Sequence, residues 1–131
     1  MENPSCNNLT AKQQQGTHAE NHACHYLQKA GLLLLKRNFR CKFGEIDLIM
    51  RDNDTLVFVE VRFRQNNYYG GALESINTAK QKRIRRAAQI YLQRHDPDDQ
   101  FFWRYDWVAV NILPDGKFKI EWIPNAWEED Y

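Results

Sequence analysis

The sequence predicts an α/β domain built on a central mixed sheet of four to five strands flanked by helices, in the order α-β-β-β-α-β-β. Three observations lead there. Apolar residues alternate at period two through Ile46, Leu48 and Met50 and again through Val57, Val59, Val61 and Phe63, as in half-buried strands. Two other segments carry apolar residues at helical spacing instead. The second of these, between Phe63 and Phe101, is long enough to be a crossover joining strands that run parallel. Helices packed on one mixed sheet are the economical way to bury both kinds of segment.

In chain order, residues 1–10 (MENPSCNNLT) read as a flexible N-terminal arm, and residues 11–131 as a single domain. A helix is expected from about Thr10 to Ala30, ended by Gly31. Its apolar stripe is Ala19, Ala23, Tyr26, Leu27 and Ala30. Leu32 to Arg40 reads as the first strand. Phe43 to Arg64 reads as a hairpin, turning at Asp52-Asn53-Asp54, whose side chains favour turns through local backbone hydrogen bonds. Gln65 to Ile76 is a loop containing Tyr68, Tyr69, Gly70 and Gly71. A second helix runs from about Thr78 to Arg94, with Thr78-x-x-Gln81 as a capping box and Ile84, Ala87, Ala88, Tyr91 and Leu92 as its stripe. Two strands follow, about Phe101 to Leu113 and Phe118 to Ile123, joined at Pro114-Asp115-Gly116. The tail is acidic.

Composition narrows the function classes. At 131 residues with 43% hydrophobic content the chain can bury a proper core and is not a disordered polymer. The net charge of +1 gives no argument for a polyanionic partner, so the distribution of charge matters more than its sum. Three cysteines, Cys6, Cys24 and Cys41, make no C-x-x-C pair and suggest reduced thiols. No apolar run suits a membrane span or a signal peptide. The expectation is a cytoplasmic protein with no membrane partner.

The hairpin carries the first candidate site. Alternation puts Glu45 and Asp47 on one face of its first strand, and Phe58, Glu60, Arg62 and Arg64 on one face of its second. A charge at the centre of a Val- and Phe-rich strand is costly without a partner. Asp47 and Glu60 would repel each other across neighbouring strands, and either a divalent cation or Arg62 would relieve that. Glu20 lies roughly 75° from the centre of the first helix's apolar stripe at about 100° per residue, so it flanks the core and still points at something. His18, His22 and His25 stack on the opposite flank. Imidazoles so spaced can bind zinc, but no matching ligand pair occurs elsewhere, and the reading is a solvated polar flank.

The residues also match a known pattern. The string Gly16-x-x-Ala19-Glu20, then Gly44-Glu45-Ile46-Asp47-Leu48-Ile49, then Val57-Phe58-Val59-Glu60-Val61-Arg62-x-Arg64 resembles the YraN-like family of small bacterial proteins. Tyr69-Gly70-Gly71, Lys80 and Arg104-Tyr105-Asp106 extend the likeness, which covers about residues 16 to 113. That family looks like part of the PD-(D/E)xK nuclease superfamily, with the restriction-endonuclease-like fold, and is similar to archaeal Holliday-junction resolvases. The resemblance implies catalytic roles for Glu20, Asp47, Glu60 and Arg62. It implies Mg²⁺ or Mn²⁺ held by Asp47 and Glu60, with the Val61 carbonyl and Glu20 as further ligands. Hard carboxylate oxygens suit those ions.

One departure stands out: Arg62 occupies the position of the superfamily's lysine. Arginine keeps the charge but cannot act as a base. Lys80, at the start of the second helix, can bring an amine from another direction. The other half of the functional expectation is nucleic-acid binding. Lys80, Lys82, Arg83, Arg85 and Arg86 fall within seven positions of a near-neutral chain, the footprint of phosphate-backbone contacts. Arg64 adds to it, and Tyr69 offers a ring for stacking on a base. Asp106 reads as structural, paired with Arg104. The functional expectation is a metal-dependent nuclease acting on DNA, branched or flapped forms included, with homodimerisation left open. The alternative is a protein that keeps the fold, binds nucleic acid or serves as a scaffold, and has lost the chemistry.

Overall fold

A computed structural model of the chain describes residues 11–64 and 77–127. The elements are α1 (Ala11–Lys29), β1 (Leu33–Cys41), β2 (Gly44–Asp52), β3 (Thr55–Arg64), α2 (Thr78–His95), β4 (Phe102–Ile112) and β5 (Phe118–Trp127). The order is the expected α-β-β-β-α-β-β. The N-terminal arm, the Gln65–Ile76 loop with Tyr68 and Tyr69, and the acidic tail lie outside the described residues.

The five strands form one sheet in the order β1-β2-β3-β4-β5. All neighbours are antiparallel except β3 and β4, which run parallel because α2 carries the chain across the sheet between them. Alternation sends Leu56 and Phe58 to one face, where Ile84, Ala87, Ala88 and Tyr91 of α2 cover them with Tyr105 and Trp107. It sends Val57 and Val59 to the other, under Ala19, Ala23 and Leu27 of α1 with Val108 and Val110. The result is three layers with the sheet in the middle.

Several ends are set by local chemistry. Gly31, at φ 104°, closes α1: its N–H donates to the Gln28 carbonyl at 3.0 Å and that of Leu32 to the Leu27 carbonyl at 3.1 Å. That backbone conformation favours glycine. At the start of α2 the cap is Asn77, not Thr78: its side-chain oxygen accepts from the Lys80 N–H at 2.8 Å. The expected box was one residue late because Asn competes well for the cap position. In α1 the buried stripe is Ala19, Ala23, Cys24 and Leu27, while Tyr26 and Ala30 are exposed. Tyr26 instead lays its ring edge-on to Trp122 at 6.4 Å.

Two strand expectations need correction. Ile46, Leu48 and Met50 do not share a face: Ile46 packs on the α2 side, whereas Leu48 and Met50 pack under α1. The break lies at Asn38 in the facing strand, which takes φ 52° between the pairs Arg37–Leu48 and Phe39–Ile46. Strand β5 runs to Trp127 rather than ending at Ile123, since an edge strand tolerates Pro124 and Asn125, at φ 53°, turns where the β4–β5 register shifts. Cys24 and Cys41 are free thiols. His18, His22 and His25 are exposed, and the His22 ring lies tilted against that of Phe118 at 4.0 Å. No helix among the described residues is long and apolar enough to cross a membrane.

Asp106 anchors one side of the sheet. It is fully buried and accepts from Arg104 Nε at 3.0 Å, Trp122 Nε1 at 2.9 Å and the Asn125 N–H at 2.9 Å, while Arg104 also reaches Asp52 at 3.1 Å. This is the structural role that the sequence suggested. Asp106→Ala strips those donors of their acceptor and is expected to cost about 3–5 kcal/mol, read as a lower urea midpoint. A loss below about 1 kcal/mol, the range of an exposed pair, would show that the network is dispensable.

Candidate functional site

The ladder between β2 and β3 runs from Asp52–Thr55 to Leu48–Val59 and stops there. The next residue on each strand is a carboxylate, Asp47 on β2 and Glu60 on β3. In place of a further ladder bond, the Val61 N–H donates to Asp47 Oδ2 at 2.8 Å. A side chain thus does the work of a backbone acceptor, and the two strands part around it.

Both helices deliver polar groups to this fork. From α1, Glu20 reaches Arg37 of β1 at 3.7 Å. The Asn38 amide, turned so that its nitrogen faces the carboxylates, donates to Glu20 at 3.0 Å and to Glu45 at 3.2 Å. From α2, Lys80 Nζ meets Glu60 Oε1 at 2.5 Å, with both side chains largely out of solvent. Glu45 pairs with Arg40 at 3.3 Å in the open. Glu45, Asp47, Glu60, Lys80 and Arg83 line an open cleft of about 270 Å³, floored by Gly44 and Ile84. Gly44 has φ 152°, and a Cβ there would stand 3.4 Å from Arg83 Cβ. That contact is an ordinary one, so it is the backbone angle, which side chains rarely adopt, that calls for glycine at this turn.

The charge at the fork is not balanced. Burial pushes the Asp47 carboxyl well above the usual carboxylate range, and the neighbouring Glu60 carboxylate pushes it further. The Val61 N–H pulls it back, while Glu20 and Glu45 add to the rise. Asp47 keeps a partly exposed edge on the cleft although its carboxyl lies deep among protein atoms. Glu20 is also raised, by burial first, with Arg37 opposing and Glu45 and Glu60 adding. Four carboxylates therefore feel one another here. No three metal-ligating side chains converge on a single point among the described residues; Glu20, Glu45 and Glu60 each face a cation and Asp47 faces an N–H.

Of the site residues read from sequence, Glu20, Asp47, Glu60 and Val61 meet at the fork, and Lys80 and Arg83 border it. The cation against Glu60 is Lys80. Arg62, two residues further along β3, is partly exposed and forms no ion pair with either carboxylate among the described residues. Arg64 is partly buried, Lys82 is exposed, and Arg86 lies over the Phe43 ring at 5.6 Å. Tyr69 lies outside the described residues. Sequence reasoning missed Arg37 and Asn38. An asparagine inside a strand runs against strand preference, and that was the available signal.

Fold and site together define an α/β domain whose central sheet opens at one end onto a cluster of carboxylates bordered by a lysine. The chain belongs to the UPF0102 family: the profile described as "Uncharacterised protein family UPF0102" matches residues 19–110, a span that contains the whole fork. A UPF0102 protein of Nitrosomonas eutropha is 48% identical over 121 residues, covering 92% of this chain and 99% of the relative. One from Janthinobacterium sp. is 53% identical over 119 residues, covering 91% of each. Another from Nitrosomonas europaea is 50% identical over 115 residues, covering 88% of this chain and 94% of the relative.

The raised Asp47 carboxyl has a consequence for stability in metal-free buffer. A folded-state pKa above the unfolded value means that the native protein holds the proton more tightly, so this group's contribution falls as pH rises from about 4 through the folded pKa. Asp47→Asn keeps an oxygen for the Val61 N–H and removes the charge. It is expected to melt higher than the parent at pH 7 in EDTA, with the difference closing toward pH 4. A variant that melts lower than the parent at neutral pH would contradict this electrostatic account.

Proposed function

We propose that the chain is a metal-dependent nuclease of the restriction-endonuclease-like, PD-(D/E)xK kind, hydrolysing phosphodiester bonds in DNA, with branched or flapped DNA as candidate substrates. The observation that carries this reading is the fork itself. Asp47 and Glu60 stand at the point where the ladder ends, with Glu20 near enough to raise the Asp47 carboxyl further. The resemblance to the YraN-like family supports the same residues.

The donor set fits a hard divalent cation. Its oxygens are carboxylates, and the crowding that raises Asp47 is a cost that a cation would remove. Asp47 and Glu60 would hold Mg²⁺ or Mn²⁺, with Glu20 and the Val61 carbonyl as further oxygens and Glu60 exchanging its bond to Lys80 for the ion. When bound, such a cation polarises a phosphoryl oxygen and acidifies water. The remaining work belongs to the chain. Glu20, held by Arg37 and Asn38, orients the attacking water. The Lys80 ammonium, beside Glu60, would donate a proton or a hydrogen bond to the departing oxygen, a proton that Arg62 cannot give up. Arg62, Arg64 and Arg83 offer fixed positive charge to phosphate oxygens as negative charge builds.

A second reading, a nucleic-acid-binding or scaffolding protein with this fold and no catalysis, is favoured by one observation: Glu20 and Glu60 already have cation partners within the chain. An assay with Mn²⁺ on single-stranded, duplex, flapped and four-way DNA separates the two. The nuclease reading expects metal-dependent cleavage that Asp47→Ala abolishes and that Lys80→Gln lowers about 10²–10⁴-fold. Arg62→Lys should retain or raise the rate, because either side chain is cationic, and Arg62→Gln should lose most of it. The same metal-independent background for the parent and all four variants would establish the second reading.

A further inference from the structure

A groove of about 490 Å³ opens between β1 and the last turns of α2, its lining distinct from that of the cleft at the carboxylate fork and joined to it through the Arg40–Glu45 pair. Its walls carry Lys36 and Arg40 from β1 and Arg94 and His95 from α2, with Phe39 and Tyr91 at its base. No acidic side chain among the described residues lines it. Lys36, Arg40, Arg94 and His95 are exposed. The Arg94 guanidinium sits over the Phe39 ring at 6.0 Å and the His95 ring lies 4.3 Å from that of Tyr91. The aromatic floor thus holds two of the polar heads at the rim. Arg40 has a partner in Glu45, but that pair is exposed and weakly held.

The groove and the fork lie along the same helix. At about 100° per residue, Lys80, Arg83, Arg86 and Arg94 fall within about 120° of one another, while Lys82 and Arg85 fall outside that arc. From Lys80 to Arg94 the helix rises about 21 Å, the length of about six steps of a nucleic-acid strand at 3.4 Å each. Midway, the Phe43 ring at the β1–β2 turn carries Lys42 at 5.0 Å and Arg86 at 5.6 Å. Basic side chains therefore recur along α2 from the fork, past the turn, to the groove.

We infer that this groove is a second contact for the DNA substrate, in which Lys36, Arg40 and Arg94 receive the phosphodiester backbone of the strand whose other end lies at the Asp47–Glu60 fork. The inference rests on the nuclease reading for the identity of the ligand, and on its own geometry for the path. It divides the basic helix into a flank that contacts DNA, Lys80-Arg83-Arg86-Arg94, and a flank that does not, Lys82 and Arg85. It also adds β1 residues that lie outside the basic run.

The test is equilibrium binding of labelled single-stranded and duplex DNA in EDTA, across a salt series, by fluorescence anisotropy. Lys36→Gln/Arg40→Gln/Arg94→Gln is compared with the parent and with Lys117→Gln/Lys119→Gln, which removes exposed charge at the opposite edge of the sheet. Single-site Arg94→Gln guards against a folding defect in the triple variant, and thermal melts are run on all. The groove variant should bind at least tenfold more weakly and lose about two to three units of salt slope, one for each phosphate contact given up. The β5 variant should stay within about twofold of the parent. Parent binding with an unchanged groove variant would overturn the groove while leaving the fork's assignment standing. Equal weakening by both sets would reduce the effect to diffuse charge and overturn it too. A parent that binds neither DNA form in any salt would overturn both the groove and the nuclease reading. If Arg94→Gln lowers the melting temperature and leaves affinity intact, Arg94 serves only the negative end of α2, and the groove assignment fails.

Discussion

The hydrogen bond from the Val61 N–H to the Asp47 carboxylate is the contact on which the rest of the site depends. It replaces a rung of the β2–β3 ladder with a side chain, and so it fixes where the sheet opens. Because the strands part there, Glu60 can turn toward Lys80 of α2 while Glu20 of α1 approaches from the other layer. The same bond holds a buried carboxylate beside others of like charge. Each of the three surrounding carboxylates is answered by a cation on an element other than its own: Arg37 and Arg40 on β1, and Lys80 on α2. A core strand carrying Glu60 would otherwise be an electrostatic fault in a well-packed sheet.

The three-layer fold explains how such a site is kept open without loosening the core. The parallel β3–β4 pair is buried on both faces and supplies the rigid floor. The fork lies at the end of β2–β3 pairing, between Ile46 of one apolar cluster and Val61 against the other, so the carboxylates are enclosed by neighbouring groups without being sealed from solvent. Gly44 supplies the φ 152° backbone at the β1–β2 turn and lines the cleft beside Arg83.

Much of this was legible in the residues. Period-two runs located β2 and β3, the helical stripes located α1 and α2, and the length of α2 between apolar strands pointed to the parallel crossover. Asp47 and Glu60 were visible as a pair because carboxylates are out of place in Val-rich strands, and the Arg104–Asp106 pair was visible for a similar reason. What escaped was geometry that depends on one residue changing the pattern. Opposite Asn38, which sits in the left-handed region, Ile46 lies on the other face from Leu48, and no periodicity count contains that. Nor could spacing choose between Arg62 and Lys80 as the partner of Glu60. That choice depends on how α2 lies over the end of the sheet, where Asn77 caps the helix and directs Lys80 at the fork.

The central claim is that Asp47 and Glu60 together make a site for one divalent cation. The most direct measurement is a calorimetric titration of Mn²⁺ into the metal-free protein, repeated on Asp47→Asn and Glu60→Gln. The account predicts one ion per chain for the parent and loss of binding in both variants, with all three proteins folded by circular dichroism. Binding of equal strength in the parent and both variants, or no binding heat in a folded parent, would contradict it.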